Sequence, residues 1–209
     1  MTPNAMTESR LSNTLLFEDP LQQFGRWYKQ AQQDPQLELP EAMCLSTLNA
    51  RGYPAARMVL LKDVDRRGFT FYTNNRSPKA RELQRRPRAA LTFHWRPQLR
   101  QVRIEGTVDR LPKKAADDYF ATRTRLSQIS SWASRQSEAL ESRAALLDEF
   151  DKLLVKFEGK KIPVPPHWQG YRVVPERVEF WQERPHRLHD RWLYVKGRGG
   201  RWAMTRLYP

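Results

Sequence analysis

Glu179-Phe180-Trp181-Gln182-Glu183-Arg184-Pro185-His186-Arg187-Leu188-His189-Asp190-Arg191 is the stretch from which the rest of the chain can be read. A strand-like run, Val178 to Gln182, enters a turn at Pro185, and a second apolar run, Trp192 to Val195, leaves it, as in a β-hairpin. Arg187, His189 and Arg191 recur at period two. On an extended backbone they share one face within about 14 Å of chain, while Leu188 and Asp190 face the other way. Such a face suits a phosphorylated or electron-rich ligand. It equally suits an exposed charged edge strand that blunts aggregation, so the choice rests on the rest of the chain.

Working outward, short strands dominate. The expected strands are Met43–Leu48, Ala55–Lys62, Phe69–Thr73, Ala89–Trp95, Gln101–Leu111, Tyr171–Val174, Val178–Gln182, Arg191–Val195 and Trp202–Leu207. Asp63–Gly68 is expected as a turn, and Gly197–Gly200 closes the last hairpin. Helical spacing appears after Asp19-Pro20, from Ser77 to Arg86, after Pro112, over Leu126–Ala133 and over Glu138–Phe157, the last with Ser137 as a candidate N-cap. The longest of these carries Leu140, Ala144, Leu147, Phe150, Leu154 and Phe157 on one side. The pattern predicts a mainly β antiparallel barrel with added helices: one domain over residues 19–209, preceded by a mobile N-terminal arm over 1–18.

Composition narrows the function classes. The formal charge of +14, from 37 Lys and Arg against 23 Asp and Glu, attracts anions. Arginine is spread through the strands instead of concentrated on one tail or helix, which favours phosphorylated small molecules over nucleic acid. No apolar run is long enough to span a bilayer and no signal core opens the chain, so the expected location is cytoplasmic, without a membrane partner. Cys44 is the only cysteine, expected as a buried inert thiol, and the four histidines show no metal-ligand spacing, so no metal site is expected.

Several groups suit anions. Arg57-Met58-Val59-Leu60-Leu61-Lys62 is an apolar strand with a cation at each end, which either snorkel to solvent or meet an anion. Tyr72-Thr73 ends a strand just before Ser77-Pro78-Lys79 opens a helix, an arrangement that suits a phosphate and also suits an ordinary capped helix. Gln101, Arg103 and Glu105 form a polar row, and Tyr119 and Arg123 lie four apart, with Ser127 continuing their face if the helix does. Gln136-Ser137 precedes the long helix. No nucleophile-base pair is legible, so any redox chemistry belongs to a bound cofactor.

Taken together, Arg57–Lys62, Phe71-Tyr72-Thr73-Asn74, Ser77-x-Lys79-Ala80, Gln136-Ser137, Glu179–Gln182 and Arg187–Arg191 closely resemble the pyridoxine/pyridoxamine 5'-phosphate oxidase family, from about Asp19 to Pro209. The resemblance implies a homodimeric FMN-binding split β-barrel, antiparallel and Greek-key-like, with flavins at the subunit interface. It implies an FMN shell of Arg57, Met58, Val59, Leu60, Leu61, Lys62, Tyr72, Thr73, Lys79, Gln101, Gln136, Ser137, Trp181 and Arg191. Lys62, Tyr119, Arg123 and Ser127 are the implied substrate-phosphate contacts, with Arg187, Leu188 and His189 beside the substrate ring and Arg187 and His189 catalytic. The implied reaction takes pyridoxamine or pyridoxine 5'-phosphate to pyridoxal 5'-phosphate, with O2 as acceptor giving H2O2. Alternatives are a related FMN oxidase acting on a phenazine-type ring, a flavin module without turnover, and a basic nucleic-acid binder. The chain departs from the family at Pro78, where a second cation is usual, and in its arm, which lacks the usual lid motif.

Overall fold

The computed structural model describes residues 16–209, so most of the expected arm lies outside the described residues. The arm's last residues are anchored: Leu16 packs on the core, and the Tyr194 hydroxyl donates to the Phe17 carbonyl at 2.9 Å. Helix α1 (Pro20–Gln32) starts where the sequence predicts, with the Asp19 carboxylate accepting from the Leu21 N–H at 2.8 Å. Its stripe of Phe24, Trp27 and Ala31 is buried. Phe24 packs edge-on to Phe69 and Phe93, at 4.8 and 5.0 Å between ring centroids, which fixes the helix against the sheet.

The strands are β1 (Ala42–Leu48), β2 (Pro54–Leu60), β3 (Asp63–Asp65), β4 (Gly68–Asn74), β5 (Arg88–Trp95), β6 (Arg100–Arg110), β7 (Trp168–Gln182), β8 (Asp190–Lys196) and β9 (Trp202–Leu207). All pair antiparallel in the order β2-β1-β5-β6-β7-β4-β3, with β8 and then β9 branching from β7. This is the expected mainly β architecture, an open, curled half-barrel. The helices that follow α1 are α2 (Pro78–Arg85), α3 (Lys113–Ala121), α4 (Arg125–Ala133) and α5 (Arg143–Lys156). Among the described residues, no helix is long and apolar enough to cross a membrane.

Strand β7 organises the sheet, and it corrects the sequence reading. Two strands were expected, either side of Pro175; one 15-residue strand runs through it. Proline has no N–H for the ladder, and the sheet absorbs it at a bulge: Glu105 pairs with Arg177 and Gly106 with Pro175, leaving Glu176 as the extra residue. Gly106 is required there, since a Cβ would lie 2.0 Å from the Val174 carbonyl oxygen. Beyond the bulge β7 changes partner. Its first half pairs with β4 and its second half with β8, while β6 runs along its other edge.

Three further expectations change. Asp63–Asp65, read as turn, pairs with Gly68–Thr70, so the turn shrinks to Arg66-Arg67. The long helix begins at Arg143, capped by Ser142, not by Ser137. Consequently Leu140 is outside it and 54% exposed, and Leu153 and Phe157 are the buried positions, with Leu146, Phe150 and Leu154 packed beside them. Cys44 is half-buried and not fully enclosed.

The main core fills the curl of the sheet with Trp27, Phe71, Trp95, Phe180 and Trp192 among its members. A second, smaller core of Phe120, Ile129, Leu153, Phe157 and Ile162 holds α3, α4 and α5 together. Trp168, the first residue of β7, packs against that helical core and donates from Nε1 to the Ala116 carbonyl at 3.1 Å. The helices are thereby fixed at the N-terminal end of β7. The opposite sheet edge, β2, leaves Met58 64% exposed.

Candidate active site

Where β4 meets α2, the chain buries a cation. Lys79 is 8% exposed, and its ammonium donates to Gln136 Oε1 at 3.0 Å and to Thr73 Oγ1 at 3.3 Å. It has no carboxylate within ion-pair distance among the described residues. Burial, with the nearby Arg57 guanidinium, lowers its pKa, and the Glu82 carboxylate partly offsets this. Ser77, the N-cap of α2, is fully buried, and its hydroxyl has no hydrogen-bond partner and caps nothing. A buried ammonium with only neutral acceptors, beside an orphaned hydroxyl at a helix N-terminus, fits a phosphate group.

Along the same cleft stands an aromatic wall. Tyr72 stacks on Tyr119 at 4.0 Å and lies parallel to Trp168 at 5.9 Å. Gly170, opposite Tyr72 on β7, makes room for that ring, since a Cβ there would sit 2.7 Å from it. Arg123 caps the wall: its guanidinium is 4.6 Å from the Trp168 ring centroid and donates to Ser131 Oγ. Among the described residues Arg123 also has no carboxylate partner, and burial lowers its pKa. The same cause raises those of Tyr72 and Tyr119.

Lys79, Thr73, Gln136, Tyr72, Tyr119, Trp168 and Arg123 open onto one cleft of ≈ 370 Å³, lined also by Met58, Val59, Leu60 and Lys62 of the β2 run and its continuation. The structure thus brings together Met58, Val59, Leu60, Lys62, Tyr72, Thr73, Lys79, Tyr119, Arg123 and Gln136. Three others stand close by without lining it. Arg57 is bound to Glu82, Leu61 is in the core, and Ser137 follows Gln136 with φ 68° in the left-handed region. Ser127 is outside the lining because α3 ends at Ala121 and a new helix starts, with the Thr124 hydroxyl donating to Ser127 Oγ at 2.8 Å.

Sequence reasoning missed Ser130, Ser131, Ser134, His167 and Trp168, all of which line the cleft. The serines had a signal: with Ser127 they recur at helical spacing on α4 and its cap. His167 had none; its Nε2 lies 2.9 Å from the Ser131 carbonyl, a contact set by the irregular 157–167 connector.

The remaining expected residues form a second group at the far end of β7. Gln101, Trp181 and Arg191 are cross-strand neighbours on β6, β7 and β8, so they share a face. Arg191 donates to Glu179 Oε1 and to the Tyr208 carbonyl, both at 2.9 Å. The His189 ring lies 4.7 Å from that of Trp181, and its Nδ1 accepts from the Arg184 N–H at 3.1 Å. In the neutral ring that leaves the proton on Nε2. The expected extended backbone from Arg187 to Arg191 is corrected: Pro185–Arg187 is a 3-10 turn in which His186 and Arg187 have φ 57° and 61°, and the strand starts at Asp190. Arg187 and Leu188 are therefore displayed, exposed, on a strained turn instead of alternating along a strand.

Sheet, cleft and cationic turn define a class: a half-barrel protein whose open cleft suits a phosphorylated ligand lying against aromatic rings. Residues 22–157 match the family model described as pyridoxamine 5'-phosphate oxidase, and residues 168–209 match that of the pyridoxine 5'-phosphate oxidase C-terminal dimerisation region. The chain belongs to the pyridoxamine 5'-phosphate oxidase family. It is 52% identical over 191 residues to a pyridoxine/pyridoxamine 5'-phosphate oxidase of Rubrobacter xylanophilus, covering 91% of this chain and 87% of that one. It is 47% identical over 203 residues to the Salinibacter ruber protein of the same name, covering 96% and 94%. Among solved structures, PhzG from Burkholderia lata, in complex with tetrahydrophenazine-1-carboxylic acid, superposes with a TM-score of 0.86 at 32% identity, covering 92% of this chain and 94% of that one. An FMN binding protein from Nostoc punctiforme, 17% identical with a TM-score of 0.73 over 93% of this chain and 100% of that one, shares the fold.

Proposed function

We propose that the protein is an FMN-dependent oxidase, cytoplasmic and homodimeric, that converts pyridoxamine 5'-phosphate and pyridoxine 5'-phosphate to pyridoxal 5'-phosphate. The observation that carries this reading is the cleft itself, where Lys79 and Arg123 stand without carboxylate partners among the described residues, beside a stacked aromatic wall. FMN, when bound, supplies the two-electron oxidant that takes a hydride equivalent from the substrate's C4' and passes electrons to O2, giving H2O2.

This chain's residues bind and orient. Lys79 and the Ser77 hydroxyl hold the flavin's phosphate, with Thr73 and Gln136 steering the ammonium. Met58 and Leu60 offer apolar surface that keeps water from the flavin ring. Lys62, Tyr119 and Arg123 hold the substrate's phosphate, and Ser131 fixes the Arg123 fork. His189, its Nδ1 occupied, presents Nε2–H to the substrate ring beside Arg187. Catalysis is mainly positioning.

Distance supports the dimer. Trp168 in the first group and Trp181 in the second are 13 residues apart on β7, at most roughly 40 Å at about 3.3 Å per residue along a strand that a bulge shortens. In the proposed dimer a two-fold partner brings its hairpin to this chain's Arg123, each chain supplying a cleft to one site and a hairpin to the other. A second reading, oxidation of a phenazine-type ring, draws on the PhzG likeness. The test is anaerobic addition of pyridoxamine 5'-phosphate to the yellow protein. Bleaching of the flavin band supports the proposal; a flavin that stays oxidised with this substrate but bleaches with a reduced phenazine carboxylate overturns it.

A further inference from the structure

Arg57 lies in the middle of β2, the strand that borders the cleft, yet its guanidinium is committed elsewhere. Nη2 donates to Glu82 Oε2 at 2.9 Å, and Nη1 donates to the hydroxyl of Thr47. That hydroxyl, 3% exposed on β1, donates in turn to the same Glu82 oxygen at 2.5 Å. The three side chains close a ring. Glu82 lies three residues after Lys79 on α2, hence on the same helix face, and its charge reaches the Lys79 ammonium. One carboxylate therefore compensates two cations, the buried Lys79 and the half-buried Arg57, next to the expected phosphate position.

We propose that Glu82 is an internal counter-anion that competes with the cofactor's phosphate: it ties Arg57 to β1 and α2, and its own charge opposes the incoming dianion. The ligand concerned is a phosphate monoester carried by a flavin, so the inference rests on the flavin reading of the cleft. Affinity for the phosphorylated flavin is then lower than the cations alone would give, and so is preference over the unphosphorylated one. Because the same carboxylate relieves repulsion between Arg57 and Lys79, it stabilises the protein without ligand. Removing its charge moves the two properties in opposite directions. A carboxylate that merely braced the fold would lower both.

The experiment titrates FMN and riboflavin into the full-length wild type and E82Q, each freed of flavin, following flavin fluorescence, with thermal unfolding of the same samples. E82Q keeps the shape and drops the charge; the expected result is FMN bound about tenfold more tightly, that is a tenfold lower Kd, with riboflavin within about twofold and a lower unfolding midpoint without ligand. E82D, whose shorter arm withdraws from Arg57, shifts FMN the same way by a smaller factor and serves if E82Q does not fold. FMN binding unchanged or weakened in the folded variants overturns the proposal while leaving the flavin reading intact. A wild type that binds neither flavin overturns both.

Discussion

Replacing Lys79 with glutamine separates recognition of the phosphate from recognition of the ring. The Lys79 ammonium is held 3.0 Å from Gln136 Oε1 and 3.3 Å from Thr73 Oγ1, so it is already aimed before any anion arrives. A hydrogen bond to a charged group is worth about 1.5–3 kcal/mol, so K79Q raises the Kd for FMN about 10- to 150-fold. Riboflavin, which lacks the phosphate, binds within about twofold of wild type. Fluorescence titration with both flavins measures the contrast. The protein's stability supplies a second reading. The Lys79 pKa is lowered from 10.5, chiefly by burial, so the unfolded chain holds this proton more tightly than the fold does. The destabilisation is full below the folded pKa and fades as pH rises through it towards 10.5. K79Q is therefore the more stable protein at neutral pH, and its advantage shrinks in alkali. Equal weakening of both flavins, or of neither, refutes the reasoning.

Arg123→Ala removes the fork above Trp168: the KM for pyridoxamine 5'-phosphate rises about 10- to 100-fold, with kcat and FMN affinity little changed, and steady-state kinetics on flavin-loaded protein would expose any loss of flavin instead. Arg187→Ala, on the strained hairpin turn, lowers turnover far more than flavin content, and proportional loss of the two would contradict its place beside the substrate. Gly170→Ala drives a methyl to 2.7 Å from the Tyr72 ring and 2.9 Å from Leu111; it destabilises the fold by about 1–3 kcal/mol, and an unaltered unfolding midpoint would show that the aromatic wall is looser than described.

The sequence reports what is local. Asp19-Pro20 and Ser77-Pro78 mark their helix starts, and period-two alternation marks most strands, because caps and pleats depend on neighbours a few residues away. Pro175 misleads because the device that accommodates it, the Gly106 bulge, is some seventy residues distant along the chain. Ser137 misleads for a similar reason: the Gln136 tether to Lys79 and Thr73 holds that chain out of the helix, which waits for Ser142. For the site, Met58, Val59, Leu60, Lys62, Tyr72 and Thr73 were legible as candidates, and the fold gathers them in one cleft. The commitment of Arg57 to Glu82 was not, since it joins β2 to α2 through the fold. His167 was invisible because only the path of the 157–167 connector brings it to Ser131.

The central claim is that each site is assembled from the cleft of one chain and the hairpin of another. Co-expressing K79Q,R123A chains with R187A chains, and assaying at substrate and FMN concentrations far below the first variant's raised KM and Kd so that each parent turns over little, tests it most directly. In a mixed dimer both lesions fall on one site and the other site is intact, so random pairing of equal amounts restores about a quarter of wild-type activity. Activity no greater than the sum of the two parents would contradict the shared site.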